Sequence, residues 1–199
     1  VWNAGVFYQN SKEDTVFVTP FSTTETERDR EQISVFGELG YNLTEDFAAT
    51  VGLRVFEEDF SQVRRMFQGE SDESEIAPKF VLNYTGLDGV NIYASASRGF
   101  RVGGVNNVPA GAGLQETFGS DSLWSYEGGI KFKTADSAVS GSVSAFYIDW
   151  SDIQLFEFNP ALGVSLVINA GAASIKGIEG ELNFNITDTL SICANGSLL

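Results

Sequence analysis

Val90 to Asn107 reads VNIYASASRGFRVGGVNN, and this stretch decides the fold. Val90, Ile92, Ala94 and Ala96 share one parity, while Asn91, Tyr93, Ser95 and Ser97 share the other. A period of two with an apolar and a wet side predicts a β-strand. The strand then meets Arg98, Phe100 and Arg101, and Gly103-Gly104 opens a long polar loop.

Outward from this stretch the same pattern recurs. Ile33, Val35, Leu39 and Tyr41 alternate with Gln32, Ser34 and Glu38, and Phe47, Ala49, Val51, Leu53 and Val55 form a second apolar row. Phe80, Leu82 and Tyr84 follow, then Trp124, Tyr126, Ile130 and Phe132 opposite Glu127, Lys131 and Lys133. Val143, Ala145 and Tyr147 come next, then Ile178, Leu182 and Phe184 opposite Glu179, Glu181 and Asn183, and finally Leu190, Ile192 and Ala194. Short turns are predicted at Asn42–Asp46, Gly86–Gly89, Thr134–Ser137 and Asn185–Thr189. Polar loops are predicted over roughly residues 10–29, 57–75 and 103–122, and one long segment over Val164–Phe184.

Turns of about four residues thus alternate with loops of about 15–20, which suits antiparallel up-and-down strands. The strands run to about ten residues, against a mode of 5–6 in soluble sheets. Tyr41, Tyr84, Trp124, Tyr126 and Phe132 stand near strand ends, as interfacial girdles do. The pattern predicts an all-β antiparallel up-and-down transmembrane β-barrel, present in part as about nine strands. A soluble β-sandwich shares the alternation and stays open from the residues alone.

Composition narrows the chemistry. The 199 residues carry a net charge of −15, no His and a single Cys. No His base or His-built zinc site is available, and the acidity argues against a nucleic-acid partner. No nucleophile–base pair or metal-ligand spacing is present, so no catalytic residue, metal or cofactor is predicted. Cys193 is expected as a small packed side chain. The opening Val and a final run that stops mid-alternation predict a fragment of a longer chain.

The strings YNLTEDFAATVGLRV, IAPKFVLNYTG, YASASRGFRVGGVN, WSYEGGIKF, AFYIDWSDIQ and NAGAASIKGIEGEL, in this order, resemble the C-terminal half of TonB-dependent outer-membrane receptors. The resemblance implies part of the wall of a 22-stranded barrel, with the N-terminal plug domain absent from residues 1–199. It implies import of ferric siderophores across the outer membrane of a Gram-negative bacterium, with energy received from TonB through the plug. Outer-membrane lipid and lipopolysaccharide are the implied surroundings. A receptor for cobalamin, haem or an oligosaccharide is an alternative, as is a surface adhesin.

In such a barrel the small polar parity of the opening stretch lines the lumen and its alanines face lipid. Arg98, Phe100, Arg101, Asn106 and Asn107 then mark an outer strand-to-loop transition and are the candidate ligand-binding residues. Arginine forks suit the carboxylates or catecholates of an iron chelate. The structural alternative pairs both arginines with acids and uses Gly103 and Gly104 for a sharp loop exit. Glu127, Lys131, Lys133, Glu179 and Glu181 are expected on wet faces, the glutamates beside Lys or Arg.

Overall fold

The structure, a computed structural model, describes all residues but 65, 66, 109–112, 162 and 188. The described residues form strands and no helix: β1 (Trp2–Thr19), β2 (Ser22–Asn42), β3 (Phe47–Arg64), β4 (Phe67–Leu87), β5 (Val90–Arg101), β6 (Gly104–Val105) and β7 (Thr117–Phe118). Then follow β8 (Asp121–Lys133), β9 (Val139–Ser151), β10 (Gln154–Asn159), β11 (Val164–Asn169), β12 (Ala172–Thr187) and β13 (Leu190–Leu198). Nine strands make one antiparallel sheet in the order β1-β2-β3-β4-β5-β8-β9-β12-β13. The pairs β6–β7 and β10–β11 are small excursions between sheet neighbours.

The predicted parities hold across the sheet. Register brings Leu39, Val51, Phe80, Ala96, Tyr126 and Tyr147 into one continuous cross-strand row. Among the described residues no second sheet interdigitates with these side chains, and Val51, Phe80, Tyr126 and Tyr147 stay substantially exposed. The adjacent row on the other face is Glu38, Gly52, Lys79, Ser97 and Ser125. There Lys79 reaches Glu38 at 2.9 Å across the side-chain-free Gly52. From Phe47 to Val55 the apolar row spans roughly 27 Å along the strand at the usual rise. That matches the outward apolar band of a membrane barrel, about 25 Å tall. Phe47 and Tyr84 (centroids 4.6 Å apart) and Trp124, Tyr126 and Tyr147 supply the aromatic pairs.

The short turns form as predicted, on local hydroxyl chemistry. The Thr44 hydroxyl accepts the Phe47 amide at 3.0 Å, and the Thr134 hydroxyl accepts that of Val139 at 3.0 Å. Gly89 takes φ +70°, a conformation side chains disfavour. The turn predicted at Asn185–Thr189 falls partly outside the described residues, at position 188.

Two predicted loops are strands instead. Residues 10–29 pair through to Thr19–Ser22, and residues 57–75 pair through to Arg64–Phe67. Thr15 to Thr19 and Thr23, Thr24 and Thr26 favour extended backbone, and Lys12–Asp29 and Arg28–Glu13 pair across the strands at 3.3 and 3.5 Å. At 18–21 residues, β1 to β4 greatly exceed the roughly 9–11 residues that cross a bilayer, so both hairpins project beyond it. The single segment predicted over Val164–Phe184 divides at Ala170-Gly171 into β11 and β12.

Cys193 is exposed, not packed. It stands opposite Asn183 on the wet face of β13, a strand with a sheet neighbour on one side only. Buried apolar side chains are few among the described residues: Phe56, Val108 and Leu166. They lie where the segments after β5 and β9 fold over the wet face.

Candidate functional site

The site arises from a fork in the sheet. β4 and β5 pair from Tyr84–Ile92 up to Lys79–Ser97 and then part. β5 continues alongside β8 as far as Arg101–Asp121. Past the fork the chain crosses the wet face of the projecting β3–β4 hairpin, where Val105 packs over Gly69 and the Gln62 amide donates to Asn107 Oδ1 at 2.7 Å.

This crossing inverts the meaning of parity. Arg98 and Phe100 share the parity of Ala94 and Ala96, which faces outward below the fork. Above it, Arg98 Nη1 donates to Glu75 Oε2 at 2.6 Å and to the Ile76 carbonyl. The Phe100 ring lies 5.2 Å from buried Phe56. Gly103 has no room for a Cβ between the Glu73 carboxylate and the Phe118 carbonyl. Close approach therefore requires glycine there, whereas the positive-φ glycines among the described residues are 89, 113, 163 and 171.

Arg101 keeps lumen parity. Its Nε donates to both Asp121 carboxylate oxygens at 3.0 Å, and its Nη2 also donates to Oδ2. The guanidinium carbon stands 5.0 Å over the Trp150 ring. The Arg101 side chain is 52% exposed, whereas that of Asp121 is 2% exposed. Burial alone pushes the Asp121 carboxyl up, but bonds from Arg101 and the Gln154 amide (3.2 Å) outweigh it and hold the group below its ordinary value.

Asn106 is 6% exposed, and all its side-chain bonding stays within the chain. Its Nδ2 donates to the carbonyls of Gln115 (3.0 Å) and Val167 (2.8 Å), and its Oδ1 accepts the Val167 amide at 2.7 Å. The side chain thus bonds Val167 as a neighbouring strand would. Asn169 and Gln154 reinforce this junction: Asn169 accepts the Gly119 amide at 2.7 Å, and Gln154 Nε2 donates to Val102 and Gly119 carbonyls at 2.8 and 3.0 Å. The described residues of 102–120 and 153–170 form one unit.

Beneath that unit lie acids whose part in it the residue pattern does not reveal. Glu75 accepts from Arg98 on one oxygen and from the Ser120 hydroxyl on the other. Glu58 and Glu73 are direct cross-strand partners. Burial raises both carboxyls, with Arg30 partly offsetting Glu58 and Ser120 partly offsetting Glu73. Asp121, Trp150, Gln154 and Asn169 complete the set that sequence reasoning misses. Their only local signal is the break in alternation through Asp149, Trp150, Ser151 and Asp152.

Farther down, the wet-face acids meet hydroxyls and an amide rather than the expected Lys or Arg. Tyr93 donates to Glu127, Ser144 to Glu179 at 3.5 Å and Asn183 to Glu181 at 2.7 Å. Lys131 sits 5.1 Å over the Tyr93 ring.

A long-stranded single sheet, bare and apolar outside, polar inside and carrying a folded-in loop unit at one end, is the wall of a membrane barrel. The family model described as TonB dependent receptor-like, beta-barrel matches residues 1–196. The chain belongs to this family. Family membership makes residues 1–196 part of a receptor-like barrel and not an enzyme domain. It is 26% identical to a pesticin receptor of Yersinia enterocolitica, over 98% of this chain and 30% of that receptor. Its fold matches the ferric yersiniabactin uptake receptor of Yersinia pestis with a TM-score of 0.81 and 23% identity, over 99% of this chain and 32% of that one. The ferripyoverdine receptor of Pseudomonas aeruginosa, solved with ferripyoverdine bound, matches at 0.62 and 21% identity, over 86% of this chain and 23% of that one. The chain therefore spans less than a third of each of these relatives. TonB-dependent receptor barrels lie in the outer membrane of Gram-negative bacteria.

Proposed function

We propose that residues 1–199 are part of the barrel wall of an outer-membrane receptor that imports a ferric siderophore, with energy from TonB received through a plug domain encoded elsewhere in the protein. The lipid-facing rows would contact outer-membrane lipid, and the projecting hairpins would stand among the lipopolysaccharide. The observation that carries the ligand class is Arg101. It is a half-exposed guanidinium at the long-loop end, fixed by a buried carboxylate and backed by an indole ring. Such a group recognises anionic oxygens, the donor atoms with which siderophores hold Fe(III). The uptake of ferric yersiniabactin by one relative and the binding of ferripyoverdine by another agree with this class.

Among the five candidate ligand-binding residues, Arg101 would make the contact. Arg98, Phe100, Asn106 and Asn107 would shape the ground it stands on. The test is uptake of radiolabelled iron, presented as a panel of ferric siderophores, by a strain deleted for the intact receptor under iron restriction. Loss of uptake for one chelate, restored by the wild-type gene, is expected. Survival of uptake for every ferric chelate would sink the assignment to iron.

A further inference from the structure

We propose that Asp121 is a positioning residue of the ligand site. It acts through Arg101, presenting the free edge of that guanidinium to an anionic oxygen of the bound chelate. This rests on the reading of Arg101 as the ligand contact given above.

Asp121 is among the most buried side chains of the protein, and it is a carboxylate. A buried charge persists only when paired and hydrogen-bonded. Here the partners come from two directions: Arg101 at the end of β5 and the Gln154 amide at the start of β10. Asp121 itself opens β8. It thus sits where the strand pair β5–β8 meets the β10–β11 excursion.

The geometry of the pair leaves a defined vacancy on the arginine. Nε and Nη2 face Asp121, and no described residue bonds Nη1. With Trp150 under the plane and Asp121 along one edge, the Arg101 side chain is still 52% exposed. An arginine held in this way is preorganised. It meets an acceptor without first choosing a rotamer, and the carboxylate behind it cancels its long-range charge. Discrimination then depends on where the acceptor oxygen sits rather than on ligand charge alone. The chemical class is a chelate with a carboxylate, phenolate or catecholate oxygen exposed at its surface.

The experiment is a double-mutant cycle on the intact receptor in detergent. Three probes are titrated: ferric yersiniabactin, ferripyoverdine and ferric citrate, each presenting anionic oxygens. Arg101→Ala is expected to weaken the best-bound probe about tenfold or more, the scale of a lost charge-assisted bond. Asp121→Asn should weaken it about tenfold when Arg101 is present, and by less than about twofold in the Arg101→Ala background. Asp121→Glu, which keeps the charge but shifts the carboxylate by one methylene, should show the same dependence on Arg101 and serves if the Asn variant fails to fold. Equal losses from Asp121 substitution in both backgrounds would make Asp121 purely structural and overturn this proposal, leaving Arg101 as a contact. No effect of Arg101→Ala would overturn the reading of Arg101 and this proposal with it. Failure of the wild-type receptor to bind any of the three would overturn the import reading as well.

Discussion

Asn106→Ala is the most informative perturbation of the loop unit, because its cost can be read from the bonds it removes. The Asn106 amide makes three bonds, to the Gln115 carbonyl, the Val167 carbonyl and the Val167 amide, at 3.0, 2.8 and 2.7 Å. Val167 pairs with Phe156 within the β10–β11 hairpin, so Asn106 satisfies groups that the hairpin leaves pointing outward. Each net hydrogen bond contributes about 1 kcal/mol, and a buried group left without a partner costs about 1–3 kcal/mol. Three bonds therefore place the loss near 3 kcal/mol, or roughly a hundredfold in the equilibrium for undocking segment 102–120 from segment 153–170. The barrel wall below makes none of these bonds, so the loss is local. Hydrogen exchange at the Val167 amide in the intact receptor reads it directly: protection should fall by about two orders of magnitude while β8 and β9 amides stay unchanged. Asn106→Asp should be at least as damaging, since a carboxylate cannot donate to either carbonyl and would face both of them. Unchanged protection at Val167 in the Ala variant would refute the account of the two segments as one unit held by this side chain.

Acidity should tune the same docking in two opposed ways. Glu58 and Glu73 are raised above 4.5 by burial, so their contribution is full below that value and lost as pH rises through their folded values; Asp121 is lowered, so its contribution is full above 3.8 and lost as pH falls through its folded value. Proteolytic resistance of segment 102–120 should peak near pH 4–4.5, and Glu73→Gln should flatten its neutral-pH limb; a monotonic rise of resistance toward pH 7 would contradict this. Val51→Arg, in the middle of the outward apolar row, should cost about 2–4 kcal/mol of folding into lipid vesicles, read from denaturant titration; indifference there would remove this row from the lipid face. Arg101→Lys should bind ferric chelate no better than Arg101→Ala, because one ammonium cannot reproduce a fork that engages Asp121 on one edge and the ligand on the other; wild-type affinity for the Lys variant would show that charge alone suffices.

The wall of the barrel is legible in the sequence because lipid and lumen demand opposite chemistry, and the period-two alternation records that demand residue by residue. The same logic explains what is not legible. Above the lipid both faces of β1 to β4 meet water or polar cover, so residues 10–29 and 57–75 carry no alternation although they are strands. Arg98 and Arg101 stand out as charges at a strand exit, but their partners Glu75 and Asp121 lie 23 and 20 residues away and are brought near by topology. The Asn106–Val167 contact spans 61 residues. The parity of Arg98 and Phe100 points to the wrong face for a specific reason. Parity assigns a side chain to a face of the sheet, and β5 leaves β4 after Ser97.

The fork also bears on how an acidic chain presents a site for an anion. The net charge of −15 opposes the approach of an anionic chelate. Near Arg101 that charge is partly cancelled: Asp121 is paired with Arg101, Glu75 with Arg98 and Glu58 with Arg30. The remaining acids of the projecting hairpins, such as Asp29, Glu31, Asp59 and Asp72, stand together on the other parity of the strands. At physiological ionic strength fields fade over about 8 Å, so those outer acids act weakly through the wall on a ligand at the inner face. The buried acids therefore hold the loop unit in place without making its surface repellent. The exposed acids keep the projecting hairpins in water and resist edge-to-edge association. Because β5 crosses over the β3–β4 hairpin at the fork, one side of that hairpin becomes scaffold and the other remains solvated surface.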